Sequence, residues 1–342
     1  MKQQAQRHER SPERGPLVTD LKRMSRGQLV TASLATAALA IAGPRVARAQ
    51  TTAKYALRIG TPGSDSQAGA WYAQDFGFFA KNGIDATIDT IRGSGAGTVG
   101  AVLGGTVNIG EADLVAISAA REHGISLIVL APSGTYTTLS PTTVLVVAKN
   151  STIATPKDLE GKTVAVLSLE GPARIATAAW IDKGGANLAS VKFVELPPAS
   201  MGSALERGTI DAATLLEPSL SAASSQVKLL AKCYDAIATR FTISAWFCNS
   251  TWQHENPLAA KAFIEAMHET NLWADQPQNH TQTGESLAKH TSINPDIIPK
   301  MTRAFYLDKF DPKLAQPLID AAVKYKQLNA SFPAQQLLQP LS

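Results

Sequence analysis

Ala101-Val-Leu-Gly-Gly-Thr-Val-Asn108 is echoed 103 residues later by Ala204-Leu-Glu-Arg-Gly-Thr-Ile-Asp211. Each copy reads as the end of a helix, a glycine that stops it, and a short strand. Gly105 and Gly208 stand where a residue just past a helix turns left-handed, a conformation glycine adopts without steric cost. The β-branched pairs Thr106-Val107 and Thr209-Ile210 then favour extended backbone. Carboxylates follow both copies: Glu111 and Asp113 after the first, Glu217 before Pro218 after the second. Two α/β units that each end a strand near acidic groups predict two lobes facing one cleft.

A chain of 342 residues suffices for two domains with separate cores. The formal charge of +4 misleads, because residues 1–49 hold nine Lys/Arg and three Asp/Glu, leaving 23 basic and 25 acidic residues beyond them. No basic face for nucleic acid survives that subtraction. Lys22, Arg23 and Arg26 precede an apolar run from Leu29 to Ala42, Pro44 breaks it, and Ala47-Arg48-Ala49 supplies a small-x-small cleavage site. This pattern predicts an export signal over 1–49 and a mature chain from Gln50. Ser25 to Val30 resembles a twin-arginine signal with Gly27 in place of the second arginine, so the Sec and Tat routes stay open. No cysteine stands at the cleavage point to carry a lipid, and no later apolar run reaches 18 residues, so a soluble periplasmic protein is expected. Cys233 and Cys248 are the only cysteines. Export permits a bridge between them, their spacing equally fits two unrelated buried thiols, and neither belongs to a metal-ligand pattern.

Along the chain, Tyr55–Gly60 alternates as a strand and a helix is expected over 67–80, capped by Asp65 or Ser66. A second strand over 84–91, a glycine-rich loop, the first repeat, a helix over 114–122 and a strand over 125–130 follow. This β-α-β-α-β order predicts a parallel sheet with right-handed crossovers. Ser140-Pro141 marks a change. Strands over 142–148, 162–167, 191–196 and 227–231 with intervening helices form a second α/β unit, in which Thr155 caps a short helix and Pro156 sits at its first position. Thr242 to Phe247 is strand-like and is expected to carry the chain back. From Pro257 the apolar 3–4 spacing is helical. The expected division is 50–141 with 244–342 as one lobe, and 142–243 as an inserted second lobe.

Asp75-Phe-Gly-Phe-Phe-Ala-Lys-Asn-Gly-Ile-Asp85, the two glycine-stopped repeats, Thr155-Pro-Lys-Asp-Leu-Glu-Gly-Lys-Thr-Val-Ala-Val166 and Glu217-Pro218 together resemble one family. It is the nitrate/sulfonate/taurine/thiamine-precursor group of ABC-transporter substrate-binding proteins, and the resemblance covers about residues 55 to 275. It implies a bilobal α/β fold of the periplasmic-binding-protein type, its lobes joined by two crossing strands. It further implies a protein that closes on a small solute and delivers it to a permease and ATPase; a monomer without cofactor or metal is expected.

In open α/β sheets ligands bind at the carboxyl ends of strands. In the first lobe those ends carry Thr61 and Gly63, the loop Arg92, Ser94, Gly95 and Ala96, the segment Glu111, Ala112 and Asp113, and Ser133. In the second they carry Ser168, Glu170, Gly171 and Glu217. Several of these loops open helices and so turn free N–H groups toward the cleft. The Arg92–Gly95 loop could cradle an anion or merely make a tight turn. Glu111, Asp113 and Glu217 could accept hydrogen bonds from a ligand. The structural alternatives are a helix cap for Asp113 and an interlobe ion pair for Glu217. Trp71, Tyr72 and Trp246 are candidate stacking surfaces, Trp246 foremost because its strand is expected to cross beside the cleft. No nucleophile elbow or paired metal-ligating histidines occur, so no catalytic machinery is visible. Two rivals remain: an enzyme like the fungal pyrimidine-precursor synthases, which have clustered cysteines and an active-site histidine lacking here, and a ligand-binding sensor or adaptor. The residues do not decide between an oxyanion and a nitrogen heterocycle or aromatic as ligand.

Overall fold

A computed structural model describes residues 54–340 apart from 92 and 94. The export signal expected at 1–49, and Arg92 and Ser94 of the glycine-rich loop, lie outside the described residues. Both repeats end their helices alike. Thr106 N–H reaches Ala101 O at 2.9 Å and Gly105 N–H reaches Val102 O at 3.1 Å; Thr209 to Ala204 and Gly208 to Leu205 repeat this, each at 3.0 Å. Gly105 at φ 68° and Gly208 at φ 69° take the left-handed turn. These are two Schellman caps. The last residue of each copy then clamps a neighbouring strand. Asn108 exchanges bonds with the Arg58 backbone, and Asp211 does the same with Thr163. The sequence expectation is adjusted in one respect: the strands begin just after the repeats, at Ile109 and Ala212.

The strands, in chain order, are β1 (Tyr55–Thr61), β2 (Ile84–Thr90), β3 (Ile109–Asp113), β4 (Leu127–Pro132), β5 (Gly134–Thr137), β6 (Thr143–Ala148), β7 (Thr163–Val166), β8 (Lys192–Glu195), β9 (Ala212–Leu216), β10 (Val227–Ala231), β11 (Arg240–Thr242), β12 (Ser244–Asn249) and β13 (Phe305–Tyr306). They make two five-stranded sheets of matching order, β2-β1-β3-β12-β4 and β8-β7-β9-β6-β10. In each, four strands run in one direction and the remaining one, β12 or β6, lies antiparallel between the third and the last. The strands of the expected parallel order, β1 to β4, do run parallel, and the correction concerns β12, which was expected to cross between the lobes. β12 inserts between β3 and β4, which sequence order alone cannot reveal.

Each sheet is covered on both faces, as two-sided apolar strands require. Phe263 and Met267 of the helix Pro257–Ala274 pack on Ile59, Ile109 and Trp246, while Val99, Val102 and Leu114 cover the other face. On the second sheet, Met201 and Leu205 pack on Val144 and Leu215, and Ile175 and Ile181 lie opposite. The fold is bilobal α/β. β5 and β11 cross between the sheets, paired with each other, and β5 also pairs with β13.

The helix expected over 67–80 is broken into a 3-10 turn Asp65–Gln67 and helices Gly69–Asp75 and Phe78–Lys81. Gly77, at φ 81°, makes the break. The C-terminal helix Pro312–Lys324 packs against the helix Leu114–Glu122 and also reaches the helix Pro172–Lys183. Lys324 Nζ and Tyr325 OH meet Asp182 Oδ2 at 2.8 and 2.9 Å.

Candidate functional site

The carboxyl ends of the two sheets face each other across a cavity of about 140 Å³. One wall comes from the turn after β1 (Pro62, Ser64, Ser66, Gln67), with Gly93, Gly95, Asp113 and Ser244 beside it. Facing it are Thr142 and Thr143 at the start of β6, Ser168 to Ala173 after β7, Thr214 and Leu216 of β9, and Tyr234.

The turn after β1 is held from below and behind. Thr61 Oγ1 donates to Gln67 O at 2.7 Å. Asp65 is buried and accepts from Arg303 Nε at 3.0 Å and Nη2 at 2.9 Å, from Tyr72 OH at 2.9 Å and from Ala304 N at 2.8 Å. Tyr306 OH donates to Asp65 O. A bidentate guanidinium with further donors is what a buried carboxylate needs to be stable. With the backbone so fixed, three side chains form a chain along the cavity wall. Ser66 and Ser64 hydroxyls lie 3.2 Å apart, Ser64 Oγ donates to Gln67 Oε1 at 2.6 Å, and Gln67 Nε2 donates to Glu111 Oε2 at 2.7 Å.

Glu111 is fully buried beneath that chain, and its Oε1 has no hydrogen-bond partner. Desolvation pushes its pKa up to about 7; the nearby hydroxyls of Ser244 and Ser133 and the Gln67 amide counter this in part. Asp113 caps the helix Leu114–Glu122, its Oδ1 accepting from Val115 N at 3.1 Å and Ala116 N at 3.0 Å. Burial raises its pKa to about 6 against these backbone bonds. Its Oδ2 lies where a Cβ on Gly95 would approach to 2.7 Å, so the glycine makes room for the carboxylate.

Across the cleft, the loop after β7 is pinned by Gln327 from the C-terminal segment. Gly171 N donates to its Oε1 at 2.7 Å and its Nε2 donates to Leu169 O at 3.3 Å. Thr214 and Thr177 hydroxyls share a bond of 2.8 Å behind that wall.

Of the residues singled out from sequence, Gly95, Asp113, Ser168, Glu170 and Gly171 line the cavity. Ala96 lines an adjoining space of about 300 Å³ that shares Asp113, Ser168 and Glu170 with it. Thr61, Glu111, Ala112 and Ser133 are buried behind the wall, and Ser133 Oγ donates to Ser66 O at 3.0 Å. Gly63 packs toward Trp71. Trp246 is placed differently from expectation. Its strand joins the first sheet instead of crossing, so the ring is 0% exposed against Phe263. Trp71 and Tyr72 are core as well. Glu217 is buried and accepts from Ser221 N and Oγ, each at 3.0 Å, and from Thr302 N at 3.1 Å, which makes it a tie between segments away from the cavity. Burial raises its pKa. Cys233 and Cys248 are free and buried, both thiols pushed up to about 12.

Sequence reasoning passed over Ser64 and Gln67 as wall residues, and likewise Thr143, Thr214 and Tyr234. Ser64 and Gln67 directly follow a strand that ends in a turn, and that position was the available signal. The threonines sit inside strands, where β propensity already explains them.

Two sheets of like topology, two crossing strands and a cavity at their facing ends define a bilobal protein of the periplasmic-binding type. A family model described as NMT1/THI5 like matches residues 65–279, and the chain belongs to that family. The taurine-binding periplasmic protein of Escherichia coli (strain K12) is 27% identical over 243 residues, 68% of this chain and 72% of that one. Among solved structures, the periplasmic aliphatic sulphonate binding protein SsuA of Escherichia coli superposes with a TM-score of 0.67 at 18% identity, covering 83% of this chain and 97% of that one. The periplasmic nitrate-binding protein NrtA of Synechocystis PCC 6803 gives 0.68 at 17% identity, over 83% and 84%.

Proposed function

We propose that this chain is the periplasmic solute-binding component of an ABC importer. It captures a small polar organic compound between two closing lobes and presents it to a permease and its ATPase. The lobes would divide at about 141/142 and 243/244, so that β5 and β11 form the hinge. The observation that carries this reading is the cavity itself, walled from both sheets at their carboxyl ends and lined by hydroxyls, an amide and helix starts. At about 140 Å³ it is well below the roughly 300 Å³ of drug-sized sites, which favours a compact ligand. Among the described residues lining it there is no Lys, Arg or His, while Asp113 and Glu170 contribute carboxyl groups. The likeness to taurine-, sulphonate- and nitrate-binding proteins supports capture and export together. The buried, hard-to-ionise thiols argue for binding over nucleophilic catalysis. Native mass spectrometry of protein purified from the periplasm should show a co-purified small molecule. Small-angle scattering should show expansion when it is removed and compaction when it is restored. An unchanged scattering profile with and without every candidate solute would sink the reading.

A further inference from the structure

A carboxylate can only accept hydrogen bonds, and that limits every group wired to it. With Glu111 ionised, the Gln67 amide must turn its Nε2 toward Oε2, as observed at 2.7 Å. Gln67 Oε1 then faces Ser64, whose single proton is used in the 2.6 Å bond to it. With that proton spent, only Ser66 can be the donor across their 3.2 Å contact. The Ser64 proton is therefore consumed inside the chain. What faces the cavity is the lone pairs of Ser64 and Ser66 and one remaining N–H of Gln67, with Asp113 Oδ2 nearby as a further acceptor. The carboxyl that sets this direction is fully buried, has an unpartnered Oε1, and is not itself on the cavity surface. The elements packed against it carry Tyr55 and Arg58 on β1, Arg121 and Glu122 on the helix Leu114–Glu122, and three groups closer to its chemistry. Asp113 acts on it directly, Asp65 on the overlying turn is ion-paired to Arg303, and Cys248 on β12 carries a thiol pushed up to about 12.

Resting on the solute-binding reading, we propose that Glu111 is a positioning residue that fixes the direction of the Gln67–Ser64–Ser66 chain, so that this wall accepts hydrogen bonds. The ligand group seated against it is an N–H donor, an ammonium or amino group. A protonated or amide-replaced Glu111 lets the same chain run the other way, with Gln67 donating to Ser64 and Ser64 donating into the cavity.

Two measurements at pH 8.5 test this. In calorimetric titrations with matched probes, taurine against ethanesulfonate and benzylamine against benzoate, the wild-type protein should favour the amine-bearing member by about tenfold. Glu111→Gln should bring the two members of each pair to within about threefold while still binding. A wild-type preference for the amine-free member, or none, overturns the ligand class and leaves solute binding standing. Neutron diffraction of the deuterated protein reads the chain without any ligand. It should show no deuteron on Glu111, two on the Gln67 atom facing it, and the Ser64 deuteron aimed at Gln67 Oε1. A deuteron on Glu111, or a Ser64 deuteron aimed into the cavity, overturns the wiring. Failure of both amines to bind, with the expected neutron map, overturns the donor-group assignment alone.

Discussion

The buried carboxyl of Glu111 makes the protein's stability depend on pH in the sense opposite to most acidic residues. Its folded pKa of about 7 stands above the ordinary 4.5, so the folded state holds the proton more tightly. The associated penalty is absent below pH 4.5 and complete above pH 7. Glu111→Gln should therefore raise thermal stability at pH 8 by on the order of 2–3 kcal/mol, a gain that fades by pH 4.5. Melting curves across that range check it, and a constant difference would contradict the burial argument. Asp65 is held by a paired charge instead. Its guanidinium partner lies 2.9 Å away with both groups largely buried, so Arg303→Met should cost about 3 kcal/mol in urea denaturation. At this scale the sequence was half legible. Glu111 and Asp113 stand out as carboxylates after a strand, and Asp113 as a cap. Their burial depends on β12, which pairs Trp246 with Glu111 and Ser244 with Asp113 from far along the chain, and the Arg303 that fixes the facing turn is 238 residues from Asp65.

At the scale of elements, the twin helix stops were the most readable feature, because a left-handed glycine after an apolar helix face has a local cause. Nothing lies within 4 Å of a Cβ built on Gly105 or Gly208, so alanine there would meet only the conformational penalty. Gly105→Ala and Gly208→Ala should each cost about 1 kcal/mol, and equally within error. Unequal losses in chemical denaturation would show that the two caps are not equivalent. The helix over 114–122 and the strand over 227–231 also agree residue for residue with the pattern read from sequence. The break at Gly77 was not legible, since Asp75 to Ala80 keeps helical spacing across it. Nor was the place of β12, since a short apolar strand reads the same whether it crosses between sheets or pairs within one.

Over the whole molecule, the bilobal plan followed from duplication, but the role of the C-terminal segment did not. Residues 300–327 touch both halves: Arg303 meets Asp65 in the first, while in the second Thr302 meets Glu217, Lys324 and Tyr325 meet Asp182, and Gln327 holds Leu169 and Gly171. Surface ion pairs of this kind contribute little, whereas Gln327 satisfies two backbone groups of a cavity loop at once. Gln327→Ala should loosen that loop and increase the radius of gyration of the ligand-free protein. Solution scattering that matches the wild type would place the closing contact elsewhere.

The insertion of β12 between β3 and β4 also sets an order of assembly on a chain that emerges from its amino end. All five strands of the second sheet lie within residues 143–231, so that sheet is complete once Ala231 has been delivered. The first sheet must wait. β3 keeps an open edge and β4 has no sheet partner until Asn249 arrives. An exposed strand edge is a template for wrong pairing, so a nascent or partly translocated chain is most vulnerable to aggregation over residues 109–132. A fragment ending at Arg240 should protect the amides of β6 to β10 from hydrogen exchange and leave those of β3 and β4 open. Protection of β3 in that fragment would refute the order.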